Sequence, residues 1–188
     1  TPASLIPTLE SMTSPHVTPD RSPAMPPASP PEPLTGARAL DDTATAEAVD
    51  TFVWIEEHDW LYALLGNGLN VAPKFRIPDL ISGCVSQLLG PDDGAARLFA
   101  YLGAELIMRA PDAPRRKESM WRAQYLQLQA LQRSPANRYP HPQFQLDQIT
   151  TACVALARID DPSGACTLRH ARINLVRRTA AGKAMLSG

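Results

Sequence analysis

The sequence predicts a mainly α-helical chain carrying one short two-stranded antiparallel β-ribbon, built from a duplicated strand–helix–helix unit. Three observations carry that prediction. Residues 73–109 align without gaps on 142–178 at a constant offset of 69, with eight identities in 37 positions, and self-similarity at a fixed offset marks repeated structural units. Each copy opens on a short run with a period of two. Each continues with two helix-period segments, separated by Gly-, Pro- and Asp-rich turns at matching places.

Taken in chain order, residues 1–45 are rich in Pro, Ser and Thr, with pairs such as Ser14-Pro15, Thr18-Pro19, Ser22-Pro23 and Ser29-Pro30. Such a stretch buries too little apolar surface to offset the entropy of ordering it, so it reads as a disordered tail, or as a peptide ligand for a protein partner. Residues 46–68 read as an aromatic amphipathic helix, with Phe52, Trp54, Ile55, Trp60, Leu61, Leu64 and Leu65 stopped by Gly66 and Gly68. Its aromatics need a surface to cover, either the downstream domain or a protein partner. Glu56, Glu57, His58 and Asp59 on the same segment read as a solvated face.

The duplicated domain spans 70–180. Repeat 1 (73–109) begins Pro73-Lys74-Phe75-Arg76-Ile77 and repeat 2 (142–178) begins Pro142-Gln143-Phe144-Gln145-Leu146. Read as half-buried strands, these runs put Phe75, Ile77, Phe144 and Leu146 inside and Lys74, Arg76, Gln143 and Gln145 outside. The first helices follow, with Leu80, Ile81, Cys84, Val85 and Leu88 answered by Ile149, Cys153, Val154 and Ala157; Pro78 suits a first turn. After the breaks at 90–94 and 160–164, Phe99, Leu102, Leu106 and Ile107 are answered by Leu168, Ala171, Leu175 and Val176. The connection between the repeats is long and is expected to carry its own helix, 117–133, with Trp121, Tyr125 and Leu128 on one stripe. A lone short strand leaves its backbone groups unpaired, so strand 73–77 is expected to pair with strand 142–146.

Charge is unevenly distributed. Residues 1–70 hold two basic and ten acidic side chains, whereas 71–188 hold sixteen and nine. Such asymmetry is a hint of a nucleic-acid or membrane partner. No apolar run approaches the ~20 residues of a membrane span. Cys84, Cys153 and Cys166 show neither a disulfide framework nor metal-ligand spacing, which fits a reduced, cytoplasmic setting. His16, His58, His141 and His170 match no zinc or triad spacing, and no phosphate-cradling Gly loop is present, so neither an enzyme nor a cofactor or metal is expected.

Strand, helix of about eleven residues, tight turn and a longer second helix: this order resembles the ribbon-helix-helix family of DNA-binding proteins, over the repeats at 73–109 and 142–178. In that family two units pair their strands into an antiparallel ribbon that enters the major groove of double-stranded DNA. Here one chain supplies both units as a tandem pseudo-dimer, similar to the single-chain members of conjugation and T-DNA-transfer systems. The resemblance implies base readout by Lys74, Arg76, Gln143 and Gln145 at a site of unlike halves, since Arg and Lys suit guanine and Gln suits adenine. It implies phosphate contacts at the starts of the second helices, at Gly94, Ala95, Gly164 and Ala165, with Arg115, Arg116 and Lys117 adding salt-sensitive affinity. The roles it suggests are an accessory factor in plasmid or T-DNA-type transfer, a transcriptional repressor or a partition factor. The rival reading is a protein-interaction scaffold, of antitoxin, relaxosome or secreted-effector type, that does not touch DNA.

Overall fold

In chain order the fold begins with a strand that leads directly into a helix. The computed structural model describes residues 47–109, 112–138 and 142–186; the tail 1–45 lies outside them. Strand β1 (Ala48–Trp54) continues as helix α1 (Ile55–Leu65), followed by α2 (Ile77–Leu89), α3 (Gly94–Ala104) and a 3-10 turn (Leu106–Met108). The chain continues through β2 (Arg115–Trp121), α4 (Arg122–Arg133), a 3-10 turn (Pro135–Asn137), α5 (Leu146–Asp160) and α6 (Ala165–Leu186). The described chain is thus mainly helical, with one two-stranded antiparallel sheet.

The strands are not the segments that alternation selects. Residues 73–76 and 142–145 are irregular, and Ile77 and Leu146 are the first residues of α2 and α5. The reason is an asparagine before each run. Asn70 accepts the Phe75 N–H through Oδ1 (2.7 Å) and donates Nδ2–H to the Phe75 carbonyl (3.2 Å). Asn137 makes the same two bonds to Phe144, at 2.9 and 3.0 Å. One amide side chain therefore satisfies the backbone groups that a neighbouring strand would have taken. Each run then ends in a helix cap, where Arg76 N–H donates to Asp79 Oδ2 (3.1 Å) and Gln145 N–H to Gln148 Oε1 (2.8 Å).

The helices expected over 46–68 and 117–133 are each a strand up to a tryptophan and a helix beyond it. In β1 the β-branched residues Val49, Thr51 and Val53 alternate with Ala48, Asp50 and Phe52, and Thr51 and Val53 are buried, a pattern suited to a pleated, half-covered surface. β2, Arg-Arg-Lys-Glu-Ser-Met-Trp, has only Met120 buried. Its strand state comes from pairing with β1.

The register pairs Ala48 with Trp121, Thr51 with Glu118 and Trp54 with Arg115. An offset of 67 relates β1–α1 to β2–α4: it carries Trp54 to Trp121, Leu61 to Leu128 and Asn70 to Asn137. Thr51 therefore lies opposite its own repeat equivalent, and the contacts repeat accordingly. Ile55 N–H donates to Pro114 O (3.0 Å) and Arg122 N–H to Glu47 O (2.9 Å). Trp54 N–H donates to Thr151 Oγ1 on α5 (3.2 Å) and Trp121 N–H to Ser82 Oγ on α2 (3.0 Å). Each strand is fastened to a helix of the other repeat.

Beneath the sheet, Leu61, Leu64, Leu80, Ile81, Cys84, Val85, Leu88, Met120, Leu128, Ile149, Cys153 and Val154 form one core. Burial pushes the Cys84 thiol up to about 12 and raises that of Cys153 further, as expected of inert packing cysteines. The repeated arginines also have structural work. Arg109 lies over the Trp54 ring (5.7 Å) and Arg178 over Trp121 (4.0 Å). Arg109 grips the wholly buried Glu57 through Nη1 (2.9 Å to Oε2), and the Glu57 bond holds its guanidinium above the usual range. Arg178 binds Asp79 at 2.7 Å. Glu57 thus departs from the solvated face expected for 56–59; Glu56 and Asp59 remain exposed.

Candidate nucleic-acid interface

A two-stranded sheet has two faces, and the core takes one. Val49, Thr51, Val53 and Met120 face the helices, and between them Thr51 Oγ1 meets Thr150 Oγ1 (3.3 Å) while Glu118 Oε1 meets His58 Nε2 (3.0 Å). The opposite face carries Ala48, Asp50 and Phe52 from β1 and Arg115, Lys117 and Ser119 from β2, because residues two apart share a face. Ala48, Asp50, Phe52, Arg115 and Lys117 are exposed and Ser119 is half-buried. Phe52 keeps 45% of its surface exposed. Lys117 reaches diagonally to Asp50 (2.6 Å), both side chains being mostly solvated, so that pair adds little stability.

The ribbon's ends are flanked by helix starts. At one end Arg115 lies over Trp54 (5.8 Å) and binds Asp147 in the first turn of α5 (2.6 Å). Phe52, Arg115, Gln132, Gln145, Leu146 and Asp147 line a cleft of about 420 Å³ there. At the other end Arg76, which caps α2, lies 5.9 Å over Trp121. A cleft of about 620 Å³ lies beside it, between the end of α1 and the start of α2, lined by Leu65, Gly66, Lys74, Phe75, Arg76 and Ile77. The clefts occupy corresponding places in the two repeats, with Gln145 and Leu146 in one answering Arg76 and Ile77 in the other.

The residues singled out from sequence accordingly change places. Lys74, Arg76, Gln143 and Gln145 are not on strands; they immediately precede α2 and α5. Arg115, Arg116 and Lys117, expected on a linker, are the first residues of β2. Gly94 and Gly164 are buried, and a Cβ on either would run into Leu88 backbone or the Leu64 side chain. They allow close packing and present no open anion site. The start of α6 is already capped: Asp161 accepts the Ser163 hydroxyl (2.5 Å) and the Cys166 N–H (2.7 Å), which holds its carboxyl below the usual range. Ala165 stands beside that capped start, while the α3 start beside Ala95 has no side-chain cap. Sequence reasoning missed Asp50, Phe52 and Ser119. A gapped self-alignment finds them: five residues separate Asn70 from Phe75 and seven separate Asn137 from Phe144, so the offset moves from 67 to 69.

Comparisons of the chain with protein-family models, curated proteins and solved structures return no match. Among the described residues no three His, Cys, Asp or Glu side chains are grouped to hold a metal ion, and no helix is long and apolar enough to cross a membrane.

Proposed function

We propose that this chain binds double-stranded DNA by laying the open face of β1 and β2 in the major groove, as a single-chain ribbon-helix-helix protein whose two repeats act as the halves of a pseudo-dimer. One observation carries the reading: an antiparallel ribbon in self-symmetric register, with its inner face on the core and its outer face, among the described residues, exposed. A two-stranded ribbon fits the major groove. Lys117 and Arg115 on that face have the chemistry to donate to guanine O6 and N7. The starts of α2 and α5 are capped and carry Asp79 and Asp147 in their first turns, so contact with the phosphates beyond the groove edges falls to side chains, Lys74 and Arg76 at one end with Gln143 and Gln145 at the other. Roles inferred from sequence are thereby exchanged, the β2 cations moving to base readout and the 74–76 cations to the backbone.

On this reading the protein is a binding protein without cofactor. Accessory work in plasmid or T-DNA-type transfer, repression or partition are the roles the family resemblance suggests. The test is fluorescence anisotropy of a labelled random duplex titrated with the intact protein at several salt concentrations. Affinity should fall linearly on a log–log plot against salt, and Lys74→Ala or Arg76→Ala should each reduce that slope by about one. Indifference to DNA at low salt contradicts the proposal. It favours instead the protein-interaction scaffold, for which Val71 (71% exposed), Met108 (82%) and Val176 (61%) are the observations in support.

A further inference from the structure

We infer that the ribbon reads a site of fixed orientation, with thymine and guanine under the end formed by Phe52 and Lys117 and cytosine under the end formed by Asp50 and Ser119. The inference rests on the DNA-binding reading above and adds the base chemistry of each half.

The pair Thr51–Glu118 is the centre of the ribbon. One step to one side, Phe52 stands opposite Lys117; one step to the other, Asp50 stands opposite Ser119. The offset of 67 exchanges the two pairs, carrying Asp50 to Lys117 and Phe52 to Ser119. A symmetric reader would carry the same side chains at both steps. Here every outward position differs in kind: cation against anion at one, aromatic against hydroxyl at the other. The next step extends the contrast, with Arg115 at the Phe52 end and Ala48 at the Asp50 end.

Each of these side chains has a natural counterpart on a major-groove edge. The Phe52 ring, 45% exposed beside an open cleft, is an apolar surface for the 5-methyl group of thymine, the one apolar feature of that edge. Lys117 donates to guanine O6 or N7, whereas Asp50 only accepts, and cytosine N4 is the donor that suits it. The Asp50–Lys117 ion pair of 2.6 Å links the two halves in the free protein. Its exposure makes it weak, so both groups are available to exchange it for bases.

The experiment has two stages. Duplexes are first selected from a randomised pool by the intact protein at moderate salt. Each thymine of the recovered duplex is then replaced singly by deoxyuridine, which deletes only the 5-methyl group. The expected result is a recovered sequence without twofold symmetry, in which one or two thymines in one half weaken binding roughly three- to fourfold when demethylated. Phe52→Ser, which replaces the ring by the hydroxyl found at Ser119, should abolish that sensitivity. Asp50→Lys combined with Phe52→Ser should shift selection towards an inverted repeat. A palindromic recovered sequence, or uridine sensitivity that survives Phe52→Ser, overturns the inference while the DNA-binding reading stands. Recovery of no preferred sequence, with random duplex still bound, overturns it likewise. Failure to bind any duplex at low salt overturns both.

Discussion

Asn70 and Asn137 each close a loop by bonding both backbone groups of a buried phenylalanine. Removing the amide strands an N–H and a carbonyl away from water, so Asn70→Ala should cost about 2–3 kcal/mol, read from the denaturant midpoint at unchanged slope. Asn137→Ala should cost a similar amount, because its bonds are the same. Asp161 gives a pH signature. Hydrogen bonds from the Ser163 hydroxyl and the Cys166 N–H lower its carboxyl in the folded state. A depressed carboxylate contributes stability that is fully present above its unfolded pKa and is lost as pH falls through the folded one. Loss of the capping acceptor in Asp161→Ala should cost about 1 kcal/mol at neutral pH, and its deficit relative to the parent should shrink in thermal melts on acidification.

At the scale of elements, β1 is fastened to α5 and β2 to α2, so residues 47–109 cannot complete the sheet alone. A fragment of residues 47–109 should be unfolded when dilute and should fold only on pairing with a second copy. A concentration-dependent melt would show this; a folded monomer, independent of concentration, would contradict it. Gly164, buried at φ +73° against Leu64, couples the start of α6 to α1, and Gly164→Ala should cost about 1–3 kcal/mol by calorimetry. Helices α2, α3, α5 and α6 were legible in sequence from their apolar spacing, but α3 stops at Ala104, and Ile107 and Val176, read on the apolar stripes, are exposed. The ribbon was legible as a kind of element but not at its location. Phe75 and Ile77 alternate because one is a buried loop residue and the other opens a helix, which period alone cannot distinguish from a strand. β1 was obscured by Phe52 and Trp54, whose spacing to Trp60 and Leu61 suits a helix. β2 carries no alternation of its own, since Met120 alone is buried and the remainder is shaped by its partner strand. For the candidate interface, the cations 74, 76 and 115–117 were found by type, but 115–117 lie on β2 and 74 and 76 precede α2.

For the whole molecule, the basic excess lies after residue 70, and over all the described residues sixteen basic side chains face fourteen acidic ones, so attraction to a polyanion depends on where the cations sit and not on net charge. The central claim is that DNA lies on the outer face of β1 and β2. Amide chemical-shift mapping of the isotope-labelled protein, titrated with a short duplex at low salt, tests it most directly. The account predicts shifts concentrated at 48–54 and 115–121 and at the starts of α2 and α5. Shifts confined to α3 and α6, or none at saturating duplex, would contradict it.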